Sequence, residues 1–536
     1  MEEGTSMRPD GFHVYDTTLR DGAQREGISY SVHDKLQVAR LLDDYGVGFI
    51  EGGWPGALPK DTEFFQRAQE ELSLVNAELV AFGATRKAGI DVADDAQVRA
   101  LLDSGAPVIT LVAKSDVRHV REALKTSLEE NEAMVRDTVR YLVDAGRRVF
   151  VDMEHFFDGY AHDPDYGVRL VRAAIEAGAD VCVLCDTNGG MLPSGISRVV
   201  SDVLARSGGR LGIHCQDDTG CAVANSVAAV EAGATHVQCT ANGYGERTGN
   251  ADLFVVVPNL QIKLGIDCVP PECLAETAHI AHAIAEIANI APNTHQPYAG
   301  ISSFAHKAGL HASALKVDAS LYNHIEPEQV GNSQRVLVTE MAGRASVELK
   351  GRELGYDLSA QPDRVSRVVE QVKDLEARGW TFEAADASFE LLLLRDSGLE
   401  QRFLVESWRT IVEQDETGRV RTEATVKVHA DGTRIISTAE GNGPVNALDR
   451  ALRSAVIQFY PELEALELTD YKVRILDTQQ GQGSGTASVT RVLVGTTDGT
   501  HEWSTVGVHE NVIAASWQAL EDALVYGLAK SGRTDP

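Results

Sequence analysis

At 536 residues the chain is too long for a single hydrophobic core, so two or three domains are expected. Its hydrophobic content of 43% and charged content of 24% are ordinary for a globular protein. With 49 basic against 79 acidic residues and a net charge of −30, it is ill suited to nucleic acid or to anionic membrane surfaces.

The opening stretch Met1–Ser6 is acidic and polar, unlike a secretory signal. No run of about 18 apolar residues offers a membrane span. The seven cysteines are odd in number. Cys182 and Cys185 form a C-x-x-C inside an apolar strand, where odd spacing points them to opposite faces, so they do not read as a redox or zinc motif. A cytoplasmic, reducing location is expected.

From residue 12 to about 265 the sequence repeats an apolar run, a polar loop and an amphipathic helix ending in glycine. The apolar runs are His13–Asp16, Gly48–Glu51, Leu79–Phe82, Val108–Val112, Val149–Asp152, Asp180–Leu184, Leu211–Ile213 and His236–Cys239. Their continuous Val/Ile/Leu character suits parallel strands buried on both faces. Expected helices include Lys35–Tyr45 after a Ser31-x-x-Asp34 capping box, Glu132–Ala145, Val168–Ala177 and Ala222–Ala232, each followed by glycine. Eight such units predict a (β/α)8 TIM barrel over residues 1–285, in preference to a doubly wound open sheet.

Chemistry should then gather where strands end. The first ends at Arg20-Asp21, the fifth runs into Asp152-Met153-Glu154 and the sixth ends at Asp186-Thr187. The seventh gives His214-Cys215-Gln216, and the eighth leads into Gly243–Asn250. Arg20 stays charged and can hold an oxyanion, while Asp21 can bind a hard divalent metal. His214 and Gln216 alternate along a strand and so share a face. With Asp21 they offer one nitrogen and two oxygens, a set suited to Mn2+ or Mg2+ rather than to zinc.

The runs Asp16–Gln24, Ile213–Asn225 and Gly243–Asn250 resemble the DRE-TIM metallolyase superfamily. Within it the chain is similar to the isopropylmalate and citramalate synthase branch. The runs Gly52-Gly53-Trp54-Pro55-Gly56 and Asp61–Phe65 place it on the citramalate side. The resemblance implies a Claisen condensation of acetyl-CoA with pyruvate and water, or alternatively with α-ketoisovalerate. It assigns Arg20 to alkoxide stabilisation, Glu154 to proton removal from acetyl-CoA, Thr187 to substrate contact and Asn250 to the metal's edge. The family pattern has His-x-His on the seventh strand, and Gln216 departs from it. Its amide oxygen either ligates the cation or bonds only to a water in the coordination sphere.

Beyond about residue 270 the rhythm stops, and residues 286–380 read as a linker and lid subdomain containing Phe304–Ala312. The resemblance assigns His311 and Tyr322 as catalytic, with His306 competing for the histidine's role. From 381 to 536 a βββα pattern occurs twice: Ser388–Leu394, Leu404–Val412, Glu423–Val428 and helix Ala447–Gln458, then Asp470–Leu476, Ala487–Val494, Glu502–Val508 and helix Ala514–Gly527. This predicts a duplicated α+β domain. It resembles the family's regulatory domain, which implies isoleucine as feedback effector and a homodimer or higher homo-oligomer. Gly443, Pro444 and Asn511, at the starts of the two helices, are the candidate effector-binding residues.

Overall fold

The computed structural model describes residues 11–339, 341–399, 401–476 and 488–531. They divide into two compact units. One runs to Phe304 and includes Ile325–Ser333, and the other comprises Ala305–His324 and the chain from Gln334 onward.

The first unit is a closed parallel barrel of eight strands in sequential order. These are β1 (His13–Asp16), β2 (Phe49–Gly53), β3 (Glu78–Ala84), β4 (Val108–Lys114), β5 (Arg148–Glu154), β6 (Val181–Asp186), β7 (Leu211–Cys215) and β8 (His236–Cys239). Closure is made by β1, which pairs Tyr15 with Phe49 of β2 on one side and with Gln238 of β8 on the other. Tyr15, Phe49, Val80, Val108, Phe150, Val181, Val183 and Cys185 fill the interior, while Cys182 packs outward beneath the helices. The two cysteines thus face opposite sides of β6, as their spacing predicts. All seven cysteines are free thiols.

Local signals place the helices well. Ser31 and Asp34 form the reciprocal capping box on helix Val32–Asp44. Gly46, Gly146, Gly178 and Gly233, each expected to turn a helix into the next strand, all have positive φ. Among the described residues no helix is long and apolar enough to cross a membrane.

The second unit begins with a two-stranded parallel ribbon, β9 (Ala305–His306) and β10 (Arg335–Val336). Two antiparallel sheets follow: β11 (Phe403–Gln414), β12 (Val420–Ala430) and β13 (Thr433–Gly441), then β14 (Glu467–Ile475), β15 (Thr490–Thr497) and β16 (Glu502–His509). Each is followed by a helix, Pro444–Val456 and Val512–Ser531, so the duplicated βββα pattern is present. One strand expected from sequence is corrected. Ser388–Leu394 lies in helix Asp386–Asp396, and the missing strand of the first sheet is β13. That helix is buried nearly all round, with Glu390 accepting from Tyr356 and Tyr526, so no polar face marks its 3.6-residue period. Ala487, expected to open the fifth strand of this domain, lies outside the described residues.

A buried ion pair secures the loop after β2. Lys35 Nζ lies 2.5 Å from Asp61 Oδ1 and donates to the Gly52 carbonyl at 2.9 Å, while Asp61 Oδ2 accepts from the Trp54 N–H at 2.8 Å. Removing one partner of a buried pair leaves an uncompensated charge, at a cost of about 3–5 kcal/mol. Asp61→Ala should therefore lower the barrel's unfolding midpoint sharply in a denaturant titration. An unchanged midpoint would show that water, and not Asp61, neutralises Lys35.

Candidate active site

A cavity of ≈ 580 Å³ opens at the C-terminal ends of the barrel strands. Arg20 and Asp21 enter it from the loop after β1, Phe82 from β3, Lys114 from β4, Asp152 and Glu154 from β5, Thr187 from beyond β6, and His214 and Gln216 from β7 and its extension. Six of the residues singled out from sequence (Arg20, Asp21, Glu154, Thr187, His214 and Gln216) line this single space.

Four donors cluster on one side. His214 Nε2 and Gln216 Nε2 each lie 3.3 Å from Asp21 Oδ2, and the two nitrogens are 3.4 Å apart. Asn250 bridges to Gln216 through the backbone, gives its amide nitrogen to the Tyr244 carbonyl at 2.9 Å and favours the ionised form of Asp21. The glycine-rich loop before it closes on itself: a Cβ at Gly249 would lie 2.0 Å from the Gly243 carbonyl oxygen. Those glycines therefore serve to place Asn250.

Two buried oxygens, Gln216 Oε1 and Asn250 Oδ1, have no hydrogen-bond partner among the described residues. Unpaired amide oxygens beside a carboxylate and an imidazole are what a hard divalent cation would satisfy. Only two of these four side chains are carboxylate or imidazole. Accordingly, among the described residues no group of three His, Cys, Asp or Glu is placed to hold a metal.

The charges around the site are strongly shaped. Burial alone would raise the Asp21 carboxyl, but the Arg20 guanidinium, together with His214 and Asn250, holds it at about 2. Burial alone would lower the His214 imidazole, and Asp21 raises it above its ordinary value. Asp152 is pushed up to about 7, first by burial and then by the Glu51 charge.

Glu51 is a residue that motif reading overlooked. It is wholly buried and accepts from Tyr15 at 2.6 Å, from Arg20 Nε at 2.6 Å and from the Thr17 hydroxyl in a very short bond. The Arg20 guanidinium carbon sits over the Phe82 ring, 4.0 Å from its centre. Both ends of its Nε–H···Glu51 contact are fixed, and its terminal nitrogens make no hydrogen bond among the described residues. They face the cavity.

Glu154 is partly exposed and forms an ion pair with Lys114, its register partner on β4. The next residue, His155, adopts a left-handed backbone (φ 57°), and its N–H donates to Thr187 Oγ1 at 2.8 Å. Strain of this kind at a strand end is common in functional loops, and here it locks Thr187 to the residue after Glu154.

The second unit holds the remaining candidates. His311 stacks on Tyr322 with ring centres 4.1 Å apart. His306 meets both edge-on and directs Nε2 at Asn323 Oδ1, 2.9 Å away. Gly443 and Pro444 line a cavity of ≈ 290 Å³ with Leu468, Tyr471 and Leu520. Asn511 does not line that cavity. Its side-chain oxygen accepts from the N–H groups of Ile513 and Ala514, capping its own helix.

Comparison with known proteins agrees with this architecture. The family model described as HMGL-like matches residues 12–290. Homocitrate synthase post-HMGL domain-like matches 299–379, and LeuA allosteric (dimerisation) domain matches 383–528. An (R)-citramalate synthase of Streptomyces coelicolor is 65% identical over 532 residues, covering 98% of this chain and 98% of that protein. One from Synechocystis sp. is 49% identical over 528 residues, 96% of each chain. A protein described as a probable 2-isopropylmalate synthase, from Methanopyrus kandleri, is more distant at 34% over 519 residues, 95% of this chain and 97% of that one. The chain belongs to the HMGL-like family, on the branch of the (R)-citramalate synthases.

Proposed function

We propose that this chain is a metal-dependent acyltransferase that condenses acetyl-CoA with pyruvate and water to give (R)-citramalate and CoA, the entry to a threonine-independent route to isoleucine. One observation carries the reading at the level of the site. Asp21, His214 and Gln216 converge beside the unengaged terminal nitrogens of Arg20, in one cavity with a carboxylate, Glu154, that can take a proton.

When bound by Asp21, His214, Gln216 and Asn250, a divalent cation supplies a Lewis acid for the keto acid. Three oxygens to one nitrogen favour Mn2+ or Mg2+ over Zn2+. Glu154 takes a proton from the acetyl methyl group, with the Lys114 ammonium against it to balance charge. The methyl carbon then bonds to the keto carbon, and Arg20 donates to the oxygen as it becomes an alkoxide. Thr187, held by the His155 N–H, orients the keto acid. The alkoxide takes up a proton and water cleaves the thioester; the second acid/base role in these steps falls by resemblance to His311, whose ring face Tyr322 covers.

The functional division is a catalytic barrel to about residue 285, a linker to 380 and a regulatory domain beyond it. The cavity at Gly443 and Pro444 opens on the N-terminus of helix Pro444–Val456, where backbone N–H groups suit a carboxylate, and Leu468 and Leu520 suit an aliphatic side chain. Isoleucine is the effector of that chemistry, and a homodimer is the assembly that the LeuA-type domain supports.

CoA thiol release by the purified protein, with acetyl-CoA and Mn2+, should be much faster with pyruvate than with α-ketoisovalerate and should fall when isoleucine is added. Preference for the branched acid would move the protein to isopropylmalate synthesis. Glu154→Gln should retain keto acid binding while kcat drops about 10²–10⁴-fold. A wild-type rate would assign the base elsewhere.

Cation binding also carries a pH signature. It needs an unprotonated His214 nitrogen, so protons compete below the raised value of that imidazole. Mn2+ affinity should fall on acidification by about tenfold per pH unit once His214 is charged, and level off above. Asp21, already ionised from about 2 upward, adds no slope in this range. Calorimetric titrations across the range would reveal the step, and a flat profile would remove His214 from the ligand set.

A further inference from the structure

His214 has two ring nitrogens, and only one can face the cation site. Its Nε2 points at Asp21 and Gln216, and its Nδ1 lies 2.9 Å from Gln238 Oε1. Gln238 sits on β8 directly opposite His214 in the parallel register, with its side chain 1% exposed. Its own orientation is decided one step further on. Gln238 Nε2 donates to Asp152 Oδ1 at 2.8 Å, across the barrel interior from β5. With Asp152 ionised its oxygens can only accept, so the amide presents its NH2 group to Asp152 and its carbonyl to His214. A carbonyl can only accept, so His214 must carry its proton on Nδ1. When the ring is neutral, the lone pair is then left on Nε2.

We propose that Gln238 is a positioning residue for cation binding: held by Asp152, it fixes the His214 tautomer and ring plane so that Nε2 is presented as a ligand. The assignment rests on the reading of His214 as a metal ligand. It extends the familiar carboxylate–histidine–metal arrangement by one amide, and partners of this kind typically change metal affinity by 10–100-fold. A merely space-filling Gln238 would also be buried, but it would have no reason to spend both ends of its amide on this line of contacts. The bonds run in one direction, each donor pointing away from the cation toward the Asp152 carboxylate.

The test uses the full-length protein freed of metal and titrated calorimetrically with Mn2+, as wild type, Gln238→Met, Gln238→Glu and Asp21→Ala. Gln238→Met fills the same space without an acceptor and should bind Mn2+ about 10–100-fold more weakly. Gln238→Glu, taken as its neutral acid, can give its O–H to Asp152 and its carbonyl to His214, and should recover affinity to within a few-fold of wild type. Equal affinity of wild type and Gln238→Met, or no recovery in Gln238→Glu, would overturn the proposal, whatever happens to the melting temperature.

Nitrogen-15 spectra of histidine-labelled, metal-free wild type provide a second reading that needs no variant to fold. Above the pH at which His214 loses its second proton, its Nδ1–H tautomer is expected, and the Nε2–H tautomer would overturn the proposal. The two levels separate cleanly. A wild type that takes up no Mn2+, or an Asp21→Ala variant that binds like wild type, overturns the ligand reading itself. Loss in Asp21→Ala with none in Gln238→Met overturns only the role of Gln238.

Discussion

The buried carboxylate of Glu51 is the constraint on which the barrel mouth depends. It has no solvent to stabilise it, so its oxygens are satisfied by Tyr15, Thr17 and the Nε of Arg20. Those bonds hold the guanidinium in place above Phe82 and leave its outer nitrogens for a ligand. The same charge acts on its neighbours. Asp16 is raised to about 7 by burial, against the bonds from Thr18 and with a further push from Glu51. Asp152 is raised to about 7 for the same leading reason. Asp21, on the other side of Arg20, is held at about 2. Carboxylates crowded into one barrel thus divide into a pair shifted toward the protonated form and one that is ionised throughout the working range. Such splitting of like groups by environment is how a site assigns different work to identical side chains.

Much of this was legible in the sequence because the barrel imposes two simple rules. Parallel strands buried on both faces read as apolar runs, and the first polar residues after each run fall at the mouth. Arg20, Asp21, Glu154, Thr187, His214 and Gln216 were found in that way, and the structure brings all six to one cavity. The eight strands were placed to within a few residues, and β1 and β8 at both ends. Glu51 and Gln238 belong to a different class, because they lie inside the apolar runs themselves, whereas Asp152 is legible at the end of the fifth. The signal for them was present, since an ionisable or amide side chain inside a run that is otherwise apolar on both faces has to find a partner. Which partner it finds depends on register across the barrel, and that is absent from any local pattern. Gln238 meets His214 because β7 and β8 align them, and it meets Asp152 only through the closed interior.

The second unit shows where periodicity fails. Helix Asp386–Asp396 carries Leu391, Leu392, Leu393 and Leu394 in succession, which reads equally as a strand when every face is apolar. Strand β13 escapes pattern reading for the opposite reason, because Thr433, Arg434, Ser437 and Thr438 dilute its alternation. Asn511 was grouped with Gly443 and Pro444 by the likeness of two helix starts. The likeness is real, but its side chain is consumed as a cap, whereas Gly443 has no side chain to cap with and leaves its helix N-terminus open to the cavity. Two copies of one motif have therefore diverged in the availability of the same backbone groups.

The amide at position 216, where the family pattern has histidine, is best understood together with the residues behind it. An amide oxygen donates less charge to a cation than an imidazole nitrogen does, so a bound cation keeps more of its pull on a keto oxygen but is held less firmly. Affinity then falls more heavily on the remaining ligands. Asp21 meets that demand by being ionised at every working pH, and Asn250 by a glycine-closed loop that leaves it little freedom. In the proposed ligand set His214 has a choice of two nitrogens and hence the most to lose from misorientation. The amide of Gln238, itself fixed by Asp152, removes that choice. A weaker ligand at one corner of the site and a more tightly specified histidine at another are two parts of one compensation, and the cost of losing the Gln238 contact should exceed what it would be in a site with two imidazoles.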